Sequence, residues 1–204
     1  MHPSLFLATL NDQAMRRYND TALHRAAISG NDTAISVLIR HGAEVNERGC
    51  DGRTALHYAC NKGHVACIHE LMRHGADVDA RDSENGATPL HLAAYFNNPD
   101  CVKLLLDKYN ASIDENDKFG YTALHAAALA GNLEVVKLLS SYSQCDVNAE
   151  NKAGRTAAGV ARDEGHNGVV DFLTSQSSVA SVTSSLAASN ITDDRKGYGK
   201  KVRT

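Results

Sequence analysis

Hydrophobic and polar positions repeat along this chain with a nearly constant period. Four segments share one order of residues, a threonine followed by apolar and small residues around a histidine: Thr21–Ala27, Thr54–Cys60, Thr88–Ala94 and Thr122–Ala128. A fifth segment, Thr156–Arg162, keeps the spacing but lacks the leucine and the histidine. The threonines lie 33, 34, 34 and 34 residues apart. A fixed period of roughly 20–50 residues indicates stacked structural repeats.

Each repeat predicts a pair of helices. The threonine follows a turn with glycine or polar residues, and its side chain can cap a helix that begins there. This first helix has a face of small residues and should end at a residue suited to left-handed backbone: Gly30, Gly63, Asn97, Gly131 and Gly165. Apolar residues at three- and four-residue spacing predict a second helix within Ala34–Arg40, Ala66–Arg73, Cys101–Asp107 and Glu134–Ser140.

The ends of the second helices and the segments after them are also predicted. We expect the helices to end at His41–Ala43, His74–Ala76, Asn110 and Gln144, with extended segments such as Glu44–Asn46 and Asp146–Asn148 behind them. Repeats three and four each carry one extra residue near these ends. The tip Ala80–Thr88 is longer and is acidic at Asp82 and Glu84. Either it is a tolerated loop insertion or it is a tip shaped for a partner.

This unit of helix, glycine, helix and turn resembles the ankyrin repeat, from Tyr18 to about Leu173. The resemblance implies an all-α solenoid of five stacked helix-turn-helix repeats with hairpin-like tips on one side. The repeats are placed at about 18–50, 51–84, 85–118, 119–152 and 153–173, the last as a C-terminal cap. We expect residues 1–17 to contain an N-terminal capping helix and residues 174–204 to form a disordered tail, rich in serine and then basic.

Composition and charge narrow the functional class. The chain is 43% hydrophobic and 22% charged, with a formal net charge of -3, as in ordinary globular proteins. No apolar run approaches the ~20 residues that cross a bilayer, so we expect no contact with a membrane. The five cysteines form an odd set without a CxxC pair, which favours reduced thiols. We expect a monomer without a cofactor in the cytoplasm, with the nucleus as the alternative compartment.

The histidines and cysteines permit an alternative function, a metal-binding or enzymatic protein. Cys60, His64, Cys67 and His69 lie within ten residues, but the two histidines of His69–His74 are five apart, whereas a zinc protease helix needs four. The repeat places both cysteines at small apolar positions. The resemblance gives the TxLH histidines a role in hydrogen bonds between repeats. Because the chain also lacks a GxSxG motif and a glycine-rich phosphate loop, we predict that it is not an enzyme.

The predicted binding residues follow from the ankyrin resemblance, which implies that partners meet the tips and the exposed side of the first helix. Aromatic and apolar residues at those positions are Tyr58, Tyr95, Phe96, Phe119, Tyr121 and Leu129, and basic ones are Arg25, Arg53, Lys62 and Arg155. Aromatic anchors dominate many interfaces. We therefore predict an aromatic centre with a basic flank, suited to a peptide or helix that has apolar anchors and an acidic neighbour. The alternative is that rings such as Tyr95 pack against the next repeat.

The predicted function is a non-enzymatic protein–protein interaction module: an adapter, an inhibitor or an assembly chaperone. The partner is a protein or peptide whose identity the sequence does not specify. The resemblance also marks Asn148 and Asn46 as candidates for asparagine hydroxylation. The basic end Asp193–Thr204 permits contact with nucleic acid. We favour a solvated tail over this second alternative.

Overall fold

The computed structural model describes residues 20–176, in which the regular elements are helices and one short 3-10 turn at Cys50–Gly52. In chain order the helices are α1 (Ala22–Ser29), α2 (Asp32–Arg40), α3 (Ala55–Lys62), α4 (Val65–Arg73), α5 (Pro89–Tyr95), α6 (Pro99–Tyr109), α7 (Ala123–Leu129), α8 (Leu133–Ser140), α9 (Ala157–Asp163) and α10 (167–176). The odd-numbered helices pack on one another in one layer and α2, α4, α6 and α8 in a second. The predicted all-α solenoid is confirmed.

The first helix of each repeat begins directly after the threonine of the repeated segment, as predicted. In repeat two, Thr54 is the N-cap of α3, and its backbone N–H donates to His57 Nδ1 at 3.1 Å. Since Nδ1 accepts this bond, the ring proton lies on Nε2, which donates to the Ala87 carbonyl of the next repeat at 3.1 Å. One neutral imidazole therefore caps its own helix and holds the following tip.

The same bonds join the other repeats. His24, His91 and His125 bond the carbonyls of Arg53, Tyr121 and Arg155, at distances of 3.0, 2.8 and 3.0 Å. Repeat five has Gly159 in place of the histidine, so its first helix makes no bond of this kind to a further repeat. That repeat five is a C-terminal cap stays a prediction.

A second set of bonds links the ends of neighbouring first helices. The residue that precedes each second helix reaches back to a carbonyl of the preceding repeat: His64 to Ile28, Asn98 to Cys60, Asn132 to Ala94 and His166 to Leu129. Three of the predicted left-handed glycines, Gly30, Gly63 and Gly131, leave room for His64, Asn98 and His166, because an added Cβ would lie within 3 Å of those side chains. The four glycines have φ from 73° to 77°. Asn97 takes the same conformation at φ 57°.

Small buried residues set the close spacing of the first-helix layer. Ala27, Cys60, Ala94 and Ala128 hold one position in four repeats, and all are fully buried. Cys60 therefore replaces an alanine, as the repeat alignment predicted. The same position in α9 is Arg162, which is exposed because no repeat lies beyond it among the described residues.

The tips are tight hairpin-like turns. The N–H groups of Gly49, Asp117 and Asn151 donate to carbonyls four residues ahead at 2.8, 2.9 and 2.9 Å. In the tip between repeats two and three, Asp82 N–H instead reaches the carbonyl of Ala87, five residues ahead, at 2.9 Å. The extra residue predicted in this tip is thus located between Asp82 and Ala87.

Neighbouring tips are bonded to one another. Three backbone N–H groups donate to the preceding tip: Ser83 to Asp51 at 2.7 Å, Lys118 to Asn85 at 2.7 Å and Lys152 to Phe119 at 3.0 Å. Side chains support the same contacts, because Arg81 donates to the Asn116 carbonyl and pairs with Glu115 at 2.7 Å. The row of tips is therefore a continuous hydrogen-bonded edge rather than a set of separate loops.

The prediction of extended segments after the second helices is wrong. Glu47 N–H bonds the Glu44 carbonyl at 3.2 Å, and Ala149 N–H bonds the Asp146 carbonyl at 3.2 Å, so both segments are turns. The turn at Asn46 places its side chain where it bonds the backbone of the next repeat. Its Nδ2 donates to the Gly75 carbonyl at 3.1 Å, and its Oδ1 accepts from Asp77 N–H at 2.8 Å.

Two boundaries also differ from the prediction. Helix α8 ends at Ser140 rather than near Gln144, because successive turns at residues 141–145 take up the extra residue. Helix α10 continues to residue 176, beyond the predicted end at 173, and the Ser175 hydroxyl donates to the Phe172 carbonyl at 2.6 Å. The predicted capping helix in residues 1–17 and the predicted disordered tail, from residue 177 onward, lie outside the described residues. Between residues 20 and 176, no helix has the length and apolar character needed to cross a bilayer.

Candidate functional site

Three aromatic side chains are the large hydrophobic residues most exposed to solvent in the described part of the chain. Tyr95, Phe96 and Phe119 have relative exposures of 43%, 47% and 57%. Tyr95 is the last residue of α5 and Phe96 is its C-cap, so both rings lie at the end of this short helix. The two rings meet edge to face, with centroids 5.1 Å apart. Phe119 lies at the tip before α7.

These rings border two adjoining depressions. The first has a volume of about 330 Å³ and is lined by Tyr95, Phe96, Tyr121 and Leu129, with Arg53 among the polar residues. The second, of about 630 Å³, is lined by Phe119, Tyr121, Leu129 and Arg155. Both share Tyr121, Leu129, Asn85 and Asp117. Seven of the ten residues predicted to bind a partner therefore line one continuous surface, which we call the double depression.

The shared wall of the double depression is rigidly held. Tyr121 is half-buried against the His125 ring, with centroids 5.5 Å apart, and its carbonyl accepts from His91 Nε2 at 2.8 Å. Leu129 ends α7, and its carbonyl accepts from His166 Nε2 at 3.1 Å. The repeat-linking histidines thus position the apolar residues that a partner would meet, which lowers the entropy cost of binding.

Tyr58 is placed differently from the exposed rings. It is half-buried, its hydroxyl donates to Asp20 Oδ1 at 3.1 Å, and its ring lies edge-on to His24 at 5.7 Å. These contacts join repeats one and two, and the residue lines neither depression. Tyr58 thus fits the alternative of packing between repeats better than the role of an exposed anchor.

The predicted basic flank is partly neutralised within the chain. Arg53 pairs with Asp82 at 3.4 Å and with Glu84 at 3.7 Å, and Arg155 pairs with Asp163. Arg25 and Lys62 are exposed and form no ion pair with another described residue. Arg53 therefore pairs with both acidic residues of the long tip, Asp82 and Glu84. Fewer cations are unpaired, and so available to an acidic partner, than the sequence suggested.

Asp117 is a residue of this surface that the sequence reasoning missed. Its Oδ1 accepts the backbone N–H groups of Phe119 and Tyr121, each at 2.8 Å, and so shapes the tip that carries them. It borders both depressions. The sequence did contain a signal for this role: Asp117 lies five residues before Thr122, and Asn151 lies five residues before Thr156 in the next repeat.

The histidines and cysteines of the described residues do not form a metal site, which the alternative of a metal-binding protein would need. No group of three or more His, Cys, Asp or Glu side chains between residues 20 and 176 is arranged to hold a metal ion. His69 Nδ1 bonds the Tyr109 hydroxyl at 2.7 Å, and His74 Nε2 bonds Glu70 at 3.2 Å. Cys67 is buried in the core, where burial raises the pKa of its thiol to about 11.

The two candidate hydroxylation sites occupy equivalent turns. Asn46 is exposed, but both side-chain polar atoms bond the next repeat, as described above. Asn148 is also exposed, and its backbone N–H donates to Asp146 Oδ1 at 3.0 Å. Hydroxylation of either residue stays a prediction. The basic segment Asp193–Thr204, the basis of the nucleic-acid alternative, lies outside the part that the structure describes.

Comparison with known proteins agrees with the repeat geometry. A family model of ankyrin repeats, three copies long, matches residues 23–117 and 90–184. The chain belongs to the ankyrin repeat family. A relative is the E3 ubiquitin-protein ligase XBAT32 of Arabidopsis thaliana, which is 39% identical over 94 residues, 46% of this chain. The match covers 18% of that ligase, so the chain spans under a fifth of its relative's length.

Membership in this family supports a binding role at a general level. Ankyrin repeats generally mediate protein–protein interactions, and the fold is generally non-enzymatic. The similarity to the ligase lies in its repeat region only. It therefore concerns the scaffold and not the transfer of ubiquitin.

Proposed function

We propose that this ankyrin repeat protein binds a segment of another protein in the double depression and acts without enzymatic chemistry. It would serve as an adapter, an inhibitor or an assembly chaperone. The observation that supports this most is the location of Tyr95, Phe96 and Phe119. These exposed rings border the concave, largely apolar double depression, whose shared wall is held by the hydrogen bonds between repeats.

The energetics favour binding at this place over other parts of the described surface. Exposed rings beside a preformed depression gain apolar burial with little loss of side-chain entropy. Truncation of an aromatic anchor at the centre of an interface costs ~2 kcal/mol or more, which is a rise in Kd of about thirtyfold. A standard interface buries roughly 1,600 Å² in total, so a partner would extend over several tips beyond the double depression.

The proposal can be tested by photo-crosslinking. A photoreactive phenylalanine analogue at Phe119 should trap a specific protein in cells, while the same analogue at the exposed Asp171 of α10 should not. The trapped protein is then purified, and its Kd is measured against the native chain and against Tyr95→Ala and Phe119→Ala. We expect each variant to raise the Kd at least about tenfold.

Folding must be unchanged for this comparison to count. Both replaced side chains are exposed, so the free energy of unfolding should stay within about 0.5 kcal/mol of the native value. Equal crosslinking from Phe119 and Asp171, or an unchanged Kd for both variants, would refute the double depression as the binding site.

A further inference from the structure

We infer that the segment bound in the double depression carries a lysine or arginine between two large apolar side chains, with the cation placed against Asp117. This inference rests on the proposed function and adds the chemistry of the partner. The apolar groups would enter the two depressions, and the cation would meet the carboxylate that borders both.

The charge of Asp117 is not needed for the shape of its tip. In the next repeat Asn151 makes the same two bonds with a neutral amide, its Oδ1 accepting from Ala153 N–H at 2.9 Å and Arg155 N–H at 3.1 Å. A carbonyl oxygen at this position therefore suffices to form the turn. The negative charge at Asp117 is available for another purpose.

Within the described residues, no cation of the chain pairs with this charge. Asp82 makes the equivalent tip bonds, and its other oxygen pairs with Arg53 at 3.4 Å. Asp117 has no such cation among residues 20–176, since Arg81 pairs with Glu115 and Lys118 donates to the Glu84 carbonyl. Burial lowers the pKa of the His91 and His125 imidazoles more than the nearby Asp117 charge raises it, so both rings are neutral at neutral pH.

A partner that covers the double depression must also cover this half-buried carboxylate. Desolvation of an unpaired carboxylate opposes binding, and a nearby cation of the partner offsets that cost. A purely apolar segment would leave the charge uncompensated, and an acidic one would be repelled. The apolar depressions thus select for large side chains, while Asp117 selects for a cation between them.

The test is selection of a random peptide library displayed on phage against the full chain. Enriched peptides are synthesised with their basic residue intact or replaced by norleucine, and each Kd is measured against native chain and Asp117→Asn. The asparagine keeps the tip bonds, as Asn151 shows. Asp171→Asn makes the same change in net charge at an exposed position on α10 and serves as the control.

We expect a shared pattern of apolar, basic and apolar residues in the enriched peptides. Asp117→Asn should weaken the basic peptide about tenfold, leave the norleucine peptide nearly unchanged and reduce the dependence on salt. Asp171→Asn should change neither Kd. This double-mutant cycle isolates the pairing of the cation with Asp117.

Other outcomes separate the two proposals. Peptides that lose affinity for Phe119→Ala but bind Asp117→Asn as tightly as native chain would overturn this inference and leave the proposed function intact. Peptides that bind Tyr95→Ala and Phe119→Ala like the native chain would contradict both. The inference also fails if no peptide is enriched, or if crosslinks from Phe119 trap residues 177–204 or a second copy of the chain.

Discussion

His57 Nε2 lies 3.1 Å from the carbonyl oxygen of Ala87 in the following repeat, while Nδ1 of the same ring accepts from Thr54 at the start of α3. The ring is fully buried. It can serve both bonds only as the neutral tautomer with its proton on Nε2. Three further histidines make equivalent bonds, so the stacking of the repeats depends on a row of uncharged imidazoles.

This row predicts that the protein loses stability in mild acid. Burial lowers the pKa of His57 to about 4, and burial also lowers the pKa values of His24, His91 and His125. The unfolded chain takes up these protons as pH falls through 6.5, whereas the folded chain takes them up only at lower pH. The free energy of unfolding therefore falls as pH falls from 6.5 toward 4, with about 2 kcal/mol lost at pH 5 from His57 alone.

Urea unfolding followed by circular dichroism at pH 7.5, 6.5, 5.5 and 5.0 measures this loss. The midpoint should move to lower urea with each step. A His57→Gln variant should show a shallower dependence on pH, because one of the four titrating groups is gone. A free energy of unfolding that stays flat between pH 7.5 and 5.0 would contradict the assignment of neutral histidines.

Replacement of His57 by alanine should destabilise the fold strongly at neutral pH. The change leaves the buried N–H of Thr54 and the carbonyl of Ala87 without their partner and opens a cavity. We expect a loss of about 2–4 kcal/mol in the free energy of unfolding. The exposed His41, whose ring bonds the Val37 carbonyl in the helix that it caps, gives the control. His41→Ala should cost less than about 1 kcal/mol, and equal losses in the two variants would contradict the linking role.

The sequence predicted the repeats well because one local rule recurs. Thr54 and His57 Nδ1 bond each other within one turn, and the constant period brings His57 Nε2 to the Ala87 carbonyl of the next copy. The left-handed residues were also predictable, since glycine or asparagine is needed wherever the first helix ends. The error at Glu44–Asn46 arose because the turn depends on bonds to Gly75 and Asp77, which lie in another repeat.

The candidate site was less predictable for the same reason. Exposure of Phe119 and partial burial of Tyr58 depend on neighbours across repeats, such as Asp20 beside the Tyr58 hydroxyl. Charge is another property that sequence position does not determine. Arg53 was predicted to meet a partner but pairs with Asp82, while Asp117, which was not predicted, forms no ion pair with another residue between 20 and 176.

Buried thiols should make cysteine labelling a measure of global unfolding. Burial raises the pKa of Cys101 to about 11 and of Cys145 to about 12, and it raises that of Cys60 well above its usual value. Thiolates are the reactive form, so these thiols should react slowly in the folded protein.

The labelling experiment uses a Cys50→Ser chain treated with iodoacetamide at pH 8 and analysed by intact mass. Little adduct is expected without denaturant, and complete labelling in concentrated guanidinium serves as the control. Fast alkylation of the folded chain at Cys60 or Cys101 would contradict the close packing of the first-helix layer.

Two glycines with nearly the same backbone should respond differently to alanine. Gly131 has φ 73° and Gly165 has φ 77°, so alanine costs about 1–2 kcal/mol in strain at either position. A Cβ at Gly131 would lie 2.6 Å from His166 Nδ1, whereas a Cβ at Gly165 would meet no other atom within 4 Å. Gly131→Ala must displace His166 and weaken its bond to the Leu129 carbonyl, which adds about 1 kcal/mol. Urea unfolding of both variants measures the difference, and equal losses would show that His166 does not couple repeats four and five.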